Sequence, residues 1–196
     1  VLEGARRGGT RKVVVALGGA DLYGAVAARD LPVKESQPMA PVSPRGAAQR
    51  AVLEYLHLYR RLHDLEFTAL ALANVYGPRA DPARGGVIAT FAERLVAGEP
   101  CTVWPSAEHA SNPGEPCTVC GDGAQTRDFL FVDDAVDALV RAGERGDGLL
   151  INVGTGVETS INDLYDAMAA AAGVDRPPRP AAARPGEVQR SALDPG

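Results

Sequence analysis

Near the start of the chain, short strand patterns alternate with one long helix pattern, and this order limits the possible folds. The β-branched run within Arg11 to Leu17 ends at Gly18-Gly19 and is typical of a buried parallel strand. Apolar residues then recur at helical spacing from Gly46 to Leu65, and a second apolar run extends from Phe67 to Val75. The three segments predict a β-α-β unit, and therefore an α/β fold with a parallel sheet.

Beyond Pro82 the expected elements are shorter, which indicates a second, smaller lobe over residues 83–196. The patterns predict a helix around Val87 to Leu95, a strand at Phe129 to Val132, a helix at Ala135 to Ala142 and a strand at Leu149 to Val153. Ser160 and Asp163 have the reciprocal form of a capping box before a helix that continues from Leu164 to Ala172. The proline-rich segment Pro177 to Pro185 is expected to be irregular.

A duplicated hexapeptide interrupts this second lobe. The sequence Gly-Glu-Pro-Cys-Thr-Val occupies residues 98–103 and again residues 114–119, with a polar, turn-rich stretch between the copies. A structural repeat would need at least about three copies to bury a core. The pair is therefore interpreted as a looped-out tandem duplication near residues 98–119.

Composition excludes several classes of protein. The chain carries 20 basic and 25 acidic side chains, a net charge of -5, which argues against a nucleic-acid partner. Hydrophobic residues make up 45% of the chain, so a buried core is expected. No apolar run approaches the roughly 20 residues of a membrane helix, which favours a cytoplasmic protein with no membrane partner.

The three cysteines raise the question of a metal site. Cys117 and Cys120, with Cys101 and His109 upstream, have the residue types of a Cys3His zinc site, and the Cys-x-x-Cys pair alone would suit redox chemistry. However, Cys101 and Cys117 are copies within the duplicated hexapeptide. Inert thiols are the favoured interpretation, and we predict no metal.

Several motifs along the chain carry a resemblance to a known family. They are Asn74-Val75-Tyr76-Gly77-Pro78-Arg79, Gly121-Asp122-Gly123 with Gln125-Thr126-Arg127-Asp128-Phe129, Val132-Asp133-Asp134, Asn152-Val153-Gly154-Thr155-Gly156 and Arg184-Pro185-Gly186-Glu187. In this order they resemble the NAD-dependent epimerase/dehydratase family of extended short-chain dehydrogenases, with the UDP-glucose 4-epimerases as the nearest group. The resemblance implies that residues 1–82 form the C-terminal part of a Rossmann-like domain and residues 83–196 a nucleotide-sugar-binding lobe.

The resemblance also implies NAD as the cofactor. The family holds the dinucleotide on a glycine-rich strand-to-helix turn, and residues 1–196 contain no such turn at their start. Gly154-Thr155-Gly156 lacks a third glycine and is interpreted as a plain strand-to-helix turn. Ala73 is the one position that the resemblance assigns to the cofactor, so we expect poor NAD binding by this chain alone.

Catalysis in the family needs a tyrosine, a lysine four residues later and a nearby Ser/Thr hydroxyl, because a cation lowers the pKa of the phenol towards neutrality. No tyrosine here has a lysine at that spacing, and by the resemblance the hydroxyl, tyrosine and lysine positions are Gly18, Arg45 and Gln49. We therefore predict no catalytic residues. Tyr55 and Tyr59 lie on the apolar stripe of their helix and are expected to pack in the core.

The positions expected to bind the substrate keep more of the family pattern than the catalytic positions do. The resemblance implies that Asn74, Arg127 and Arg184 hold the diphosphate of a UDP- or dTDP-sugar, and guanidinium groups suit that task because they bind phosphate oxygens bidentately. The alternative for each arginine is a surface salt bridge. Arg127 would then pair with Asp128 or Asp133, and Arg184 with Glu187.

These inferences predict a catalytically degenerate, epimerase-like protein that retains nucleotide-sugar binding. Two alternatives stay open. The chain could be a non-catalytic interaction module that completes its sheet with another polypeptide, or a half-enzyme complemented by a separate N-terminal half. A homodimer is a further expectation, since family members often pair through the helix that matches Gly46 to Leu65.

Overall fold

The computed structural model describes residues 1–81, 86–99, 101, 119–120, 123–175, 177–178, 180–181 and 188–196. Helices in these ranges are α1 (Leu2–Arg7), α2 (Gly19–Tyr23), α3 (Pro44–His63), α4 (Gly86–Ala97), α5 (Val132–Ala142) and α6 (Ile161–Ala172), with a 3-10 turn at Ala28–Asp30. Strands are β1 (Lys12–Gly18), β2 (Glu66–Leu72), β3 (Asn74–Tyr76), β4 (Val119–Cys120), β5 (Thr126–Arg127), β6 (Phe129–Phe131), β7 (Leu149–Val153), β8 (Thr159–Ser160) and β9 (Pro180–Ala181).

The main sheet is parallel and has the order β1-β2-β7, which confirms the predicted β-α-β unit. The central strand β2 is buried from Phe67 to Ala71, as expected for a strand covered on both faces. Gly18 pairs with Leu72, and Leu72 pairs with Val153. The three strands therefore end together, and we call this boundary of the sheet the carboxyl edge.

Helix α3 connects β1 to β2 and begins at the carboxyl edge. Ser43 caps it by accepting a hydrogen bond from the N–H of Gly46 at 3.1 Å, and Pro44 occupies the first turn. Gly46 is buried, and a Cβ built on it would lie 2.1 Å from the carbonyl oxygen of Asp21. The missing side chain lets α3 approach α2 closely.

The outer face of α3 corrects one expectation. Tyr55 is 57% exposed, and Tyr59 is half-buried, so the predicted core packing is wrong for Tyr55. The helix contacts the sheet through a narrow face that contains Leu53 and Leu56. Because each residue turns a helix by about 100°, Tyr55 points well away from its neighbour Leu56.

The second half of the chain builds its own small core and also returns to the main sheet. Strand β7 pairs with β2, and α5 packs against β2 and β1. Helices α4 and α6 pack together through Phe91, Leu95, Ile161 and Tyr165. The division into two lobes at residue 82 stays a prediction.

Most elements expected in the second half are present. Helices α4, α5 and α6 and strands β6 and β7 confirm the expected sequence of elements, and the Oγ of Ser160 accepts a hydrogen bond from the N–H of Asp163 at 3.0 Å, as the capping box predicts. In the proline-rich segment, Pro180–Ala181 forms a short strand that pairs with Val119–Cys120. Most of the predicted duplicated loop lies outside the described residues.

The length and polarity of the helices bear on membrane insertion. None of the helices that the structure describes is both long and apolar enough to cross a bilayer.

Candidate functional site

Open parallel α/β sheets bind ligands beyond the carboxyl ends of their strands. In this chain, β1 ends at Gly18, Asn74 follows β2 after one residue, and Gly154 follows β7 directly. Arg45 lies in the first turn of α3, beside the same edge. The carboxyl edge therefore gathers Gly18, Arg45, Asn74 and Gly154.

At one end of this edge, three polar side chains lie around Gly18, the last residue of β1. The N–H of Gly18 donates to the Oε1 of Gln49 at 3.0 Å. A Cβ built on Gly18 would lie 3.5 Å from the Nη2 of Arg45 and 2.9 Å from the Oδ2 of Asp21. The structure thus brings Gly18, Arg45 and Gln49 together. We call these three residues and Asp21 the β1 end.

Asp21 is the residue that the sequence analysis missed. Its Oδ2 lies 3.2 Å from the Nε of Arg45, and its carboxylate stands beside the vacant side-chain position of Gly18. The family pattern expects a side-chain oxygen at the end of the strand, whereas α2 turns Asp21 back towards that strand. Its position three residues after Gly18, on the first turn of a helix, is the signal that would have found it.

The chemistry of the β1 end differs from that of a phenol–ammonium pair. A guanidinium stays protonated at working pH and cannot accept a proton, and the amide of Gln49 carries no charge. The ion pair of Arg45 with Asp21 is partly exposed, with 63% and 30% of the two side chains accessible. This arrangement can bind polar or charged groups, but it offers no acidified phenol.

The substrate residues predicted from the resemblance lie further along the edge. Asn74 is exposed, and its N–H donates to the carbonyl of Asp128 at 2.9 Å. Arg127 immediately precedes Asp128, and its Nη1 donates to the carbonyls of Thr126 at 2.8 Å and Gln189 at 3.5 Å. Asn74 and Arg127 are therefore brought to adjacent segments. Arg184 lies outside the described residues.

Asp128 anchors this part of the molecule. Its side chain is 1% exposed and accepts hydrogen bonds from the N–H and the hydroxyl of Thr155, the N–H of Gly156 and the N–H of Leu193. The hydroxyl contact is 2.6 Å long. We call these four residues the Asp128 cluster. It connects the segment that carries Arg127 to the turn after β7 and to residues 188–196.

Tyr23 lies near the β1 end but serves the core. Its hydroxyl donates to the Oδ1 of Asn152 at 2.8 Å, and the Nδ2 of Asn152 donates to the carbonyl of Val33 at 2.7 Å. Burial raises the pKa of Tyr23 to about 12, and the charge of Glu35 acts in the same direction. Tyr23 is therefore a poor proton acceptor near neutral pH.

Two features of the described residues bear on a dinucleotide and a metal. Ala73, the position assigned to NAD, packs against the core, and its N–H already donates to the carbonyl of Val153 at 2.9 Å. Cys101 is buried. Within the described ranges, no three side chains of His, Cys, Asp or Glu are grouped as a metal would require.

A parallel sheet with a helical crossover and polar residues at its carboxyl edge is the arrangement of a Rossmann-like α/β protein. A sequence profile described as "NAD dependent epimerase/dehydratase family" matches residues 1–154. The chain belongs to this family, which confirms the resemblance seen in its motifs.

Individual relatives agree with this assignment. The chain is 44% identical to the UDP-glucose 4-epimerase of Mycolicibacterium smegmatis, over 98% of this chain and 56% of the relative. The UDP-glucose 4-epimerase of Thermotoga maritima, solved with UDP-glucose, superposes with a TM-score of 0.87 at 34% identity, over 98% of this chain and 57% of that one. The Thermus thermophilus UDP-glucose 4-epimerase, solved with NAD, gives a TM-score of 0.85 at 35% identity, over 99% and 58%. The chain thus spans little more than half the length of these relatives.

Proposed function

We propose that this chain is the nucleotide-sugar-binding part of a UDP-glucose 4-epimerase-like protein. Asn74 and Arg127 would hold the diphosphate, together with Arg184. The observation that carries the proposal is the hydrogen bond from the N–H of Asn74 to the carbonyl of Asp128, which brings Asn74 next to the segment of Arg127 at the carboxyl edge. A planar guanidinium at such a place suits the oxygens of a diphosphate.

We further propose that the β1 end performs no proton transfer. Removing a hydride from a sugar carbon requires a base that takes the proton of the hydroxyl on that same carbon. The guanidinium of Arg45 and the amide of Gln49 are not basic groups, and burial raises the pKa of the Tyr23 phenol to about 12. A chain with this β1 end is expected to bind its ligand without converting it.

NAD would accept and return the hydride in the family, and Ala73 is the one position of this chain that the resemblance assigns to it. Ala73 presents a methyl group, and its N–H is occupied by Val153. No step is therefore assigned to the dinucleotide on the residues of this chain.

Isothermal titration tests the binding proposal. We expect saturable binding of UDP-glucose or dTDP-glucose, and a loss of about ten-fold or more in affinity for Arg127→Ala. Arg127→Lys keeps the charge but loses the planar fork, so its loss should be intermediate. Arg61→Ala is the matched control, because Arg61 is exposed in the last turn of α3, far from the carboxyl edge. Absence of binding, or equal affinity for wild type and Arg127→Ala, would contradict the proposal.

A turnover assay tests the loss of catalysis. UDP-galactose and NAD are incubated with the chain, and the anomeric proton signals of the sugar are followed by NMR. We expect UDP-galactose to remain unchanged. Formation of its 4-epimer would show that another group accepts the proton.

A second candidate function is an interaction module that pairs its sheet with another polypeptide. The observation in its favour is strand β1, which pairs with β2 alone among the strands that the structure describes and carries the half-buried Val13, Val14 and Val15. Open strand edges of this kind bind further strands. Sedimentation of the purified chain tests it, since a monomer at all concentrations, with no strand-donating partner recovered, would count against this function.

A further inference from the structure

We propose that Arg45 makes the β1 end a carboxylate-binding subsite, so that the site prefers a nucleotide sugar whose ring carries a carboxylate over the neutral hexose. UDP-glucuronate and UDP-glucose represent the two classes. The inference rests on the proposed function. Gly18 pairs with Leu72, two residues before Asn74, so a sugar attached to a diphosphate on Asn74 and Arg127 can reach the β1 end along the carboxyl edge.

The exposure and bonding of Arg45 carry the inference. Its side chain is 63% exposed, and its ion-pair contact is made by Nε, which lies 3.2 Å from the Oδ2 of Asp21. Among the described residues, no side chain or carbonyl is bonded to its two terminal nitrogens. One of them, Nη2, lies 3.5 Å from where the Cβ of Gly18 would be. The absence of a side chain at Gly18 therefore leaves this edge of the guanidinium open.

The chemistry of the guanidinium selects the ligand class. Its two terminal nitrogens form a planar fork that matches the two oxygens of a carboxylate, and charge-assisted hydrogen bonds are roughly twice as strong as neutral ones. A sugar hydroxyl accepts one such bond and brings no opposite charge. A carboxylate can therefore accept hydrogen bonds from both terminal nitrogens of Arg45, whereas one hydroxyl accepts only one.

Asp21 limits this preference. Its carboxylate holds the Nε side of Arg45 and would repel a second carboxylate nearby. Replacing it by asparagine removes the repulsion and keeps a side-chain oxygen at the same place. Asp21→Asn should therefore strengthen the preference that Arg45 creates.

Bulk electrostatics predicts the opposite ranking, which makes the test informative. The chain has a net charge of -5, so a ligand with one more negative charge should bind less well if only the overall field acted. A preference for the uronate therefore requires a local cation.

The experiment is isothermal titration of the full chain with UDP, UDP-glucose and UDP-glucuronate. We expect UDP-glucuronate to bind about ten-fold more tightly than UDP-glucose. In Arg45→Gln this ratio should fall to about one or below, and in Asp21→Asn it should exceed the wild-type value. Arg61→Gln removes a guanidinium from the distant end of the same helix and should keep the wild-type ratio.

The outcomes separate this inference from the proposed function. If UDP and UDP-glucose bind but UDP-glucuronate shows no preference, the inference is overturned and nucleotide-sugar binding stands. If none of the three ligands binds, both are overturned. A preference that persists in Arg45→Gln also overturns the inference, because another cation would then be responsible. Circular dichroism of each variant establishes that the ratios refer to folded protein.

Discussion

The β1 end and the Asp128 cluster both lie beside the carboxyl edge, yet they are built in opposite ways. Asp128 is 1% exposed and accepts hydrogen bonds from two backbone segments, residues 155–156 and Leu193. Asp21, by contrast, is partly exposed and faces one partly exposed arginine. The carboxylate of Asp128 connects distant segments of the fold, whereas the carboxylate of Asp21 lies near its surface.

This difference indicates where the chain tolerates substitution. Groups that are exposed and make few contacts contribute little to stability, so the β1 end can hold other side chains without loss of folding. The Asp128 cluster has no such freedom, because Asp128 is buried and its loss would leave four hydrogen-bond donors without their acceptor, the N–H of Leu193 in the interior. Four substitutions, in order of decreasing effect, test the difference between buried and exposed contacts.

Asp128→Ala should have the largest effect on the free energy of unfolding. It leaves the N–H groups of Thr155, Gly156 and the buried N–H of Leu193 without their acceptor, and we expect a loss of about 3–5 kcal/mol or a failure to fold. Asp21→Ala is the matched control and should cost less than about 1 kcal/mol. Urea denaturation of both variants measures the two losses. Equal losses would contradict a larger contribution from the buried carboxylate.

Leu193→Ala should cost about 2–4 kcal/mol. Leu193 is 1% exposed and fills the space above two glycines, since a Cβ built on Gly19 would lie 2.7 Å from its Cδ1 and a Cβ built on Gly154 would lie 3.1 Å from its Cβ. Its removal leaves a cavity between the end of β1 and the turn after β7. Thermal unfolding measures the effect. A change below about 0.5 kcal/mol would show that residues 188–196 are not part of the folded unit.

Tyr23→Phe should cost about 1–2 kcal/mol, because the Oδ1 of Asn152 loses its donor in a buried setting. The pKa of Tyr23 is raised to about 12, so its folded form favours the protonated phenol. This stabilisation is complete below the unfolded pKa of about 10 and is lost as the pH rises from there through 12. Denaturation at neutral and alkaline pH checks both parts. Wild type should lose more stability than Tyr23→Phe over that alkaline range, and parallel losses would contradict the assignment.

Glu158→Gln should have the smallest effect, below about 1 kcal/mol, because its partner Arg190 is 45% exposed. The hydrogen bond from Arg190 lowers the pKa of Glu158, and the hydroxyl of Thr126 contributes as well. The stabilisation is therefore present above the ordinary glutamate pKa and is lost as the pH falls through the lowered one. Unfolding measured at neutral and acidic pH should show the variant converging on wild type in acid. Divergence there would be inconsistent with this ion pair.

The sequence predicted the parts of the fold that depend on local pattern. The valine run of β1, the helical spacing of α3 and the capping box at Ser160 depend on residues that are close in the chain, and all three are confirmed. The exposure of Tyr55 could not be predicted in the same way. An apolar stripe indicates which face of a helix is hydrophobic, but the width of the surface that covers it is set by other elements.

The candidate site was predictable to a similar extent. The motifs identified Arg127 and Asn74 and the positions of Gly18, Arg45 and Gln49. Asp21 follows Gly18 by three residues, a local spacing that the family motifs do not include, whereas the role of Asp128 depends on a contact with Leu193, 65 residues further along the chain. Contacts over such separations leave no periodic signal in a single sequence.

A nucleotide-sugar site at the carboxyl edge is tested most directly by locating the ligand on the protein. Backbone amide shifts are recorded by NMR while UDP-glucose is added to the isotope-labelled chain. We predict that the largest changes fall on Asn74, Arg127 and their neighbours at the carboxyl edge, with Lys12 and Asp147 at the opposite ends of the strands unaffected. Changes centred on those distant residues, or no saturable change at all, would contradict a nucleotide-sugar site at the carboxyl edge.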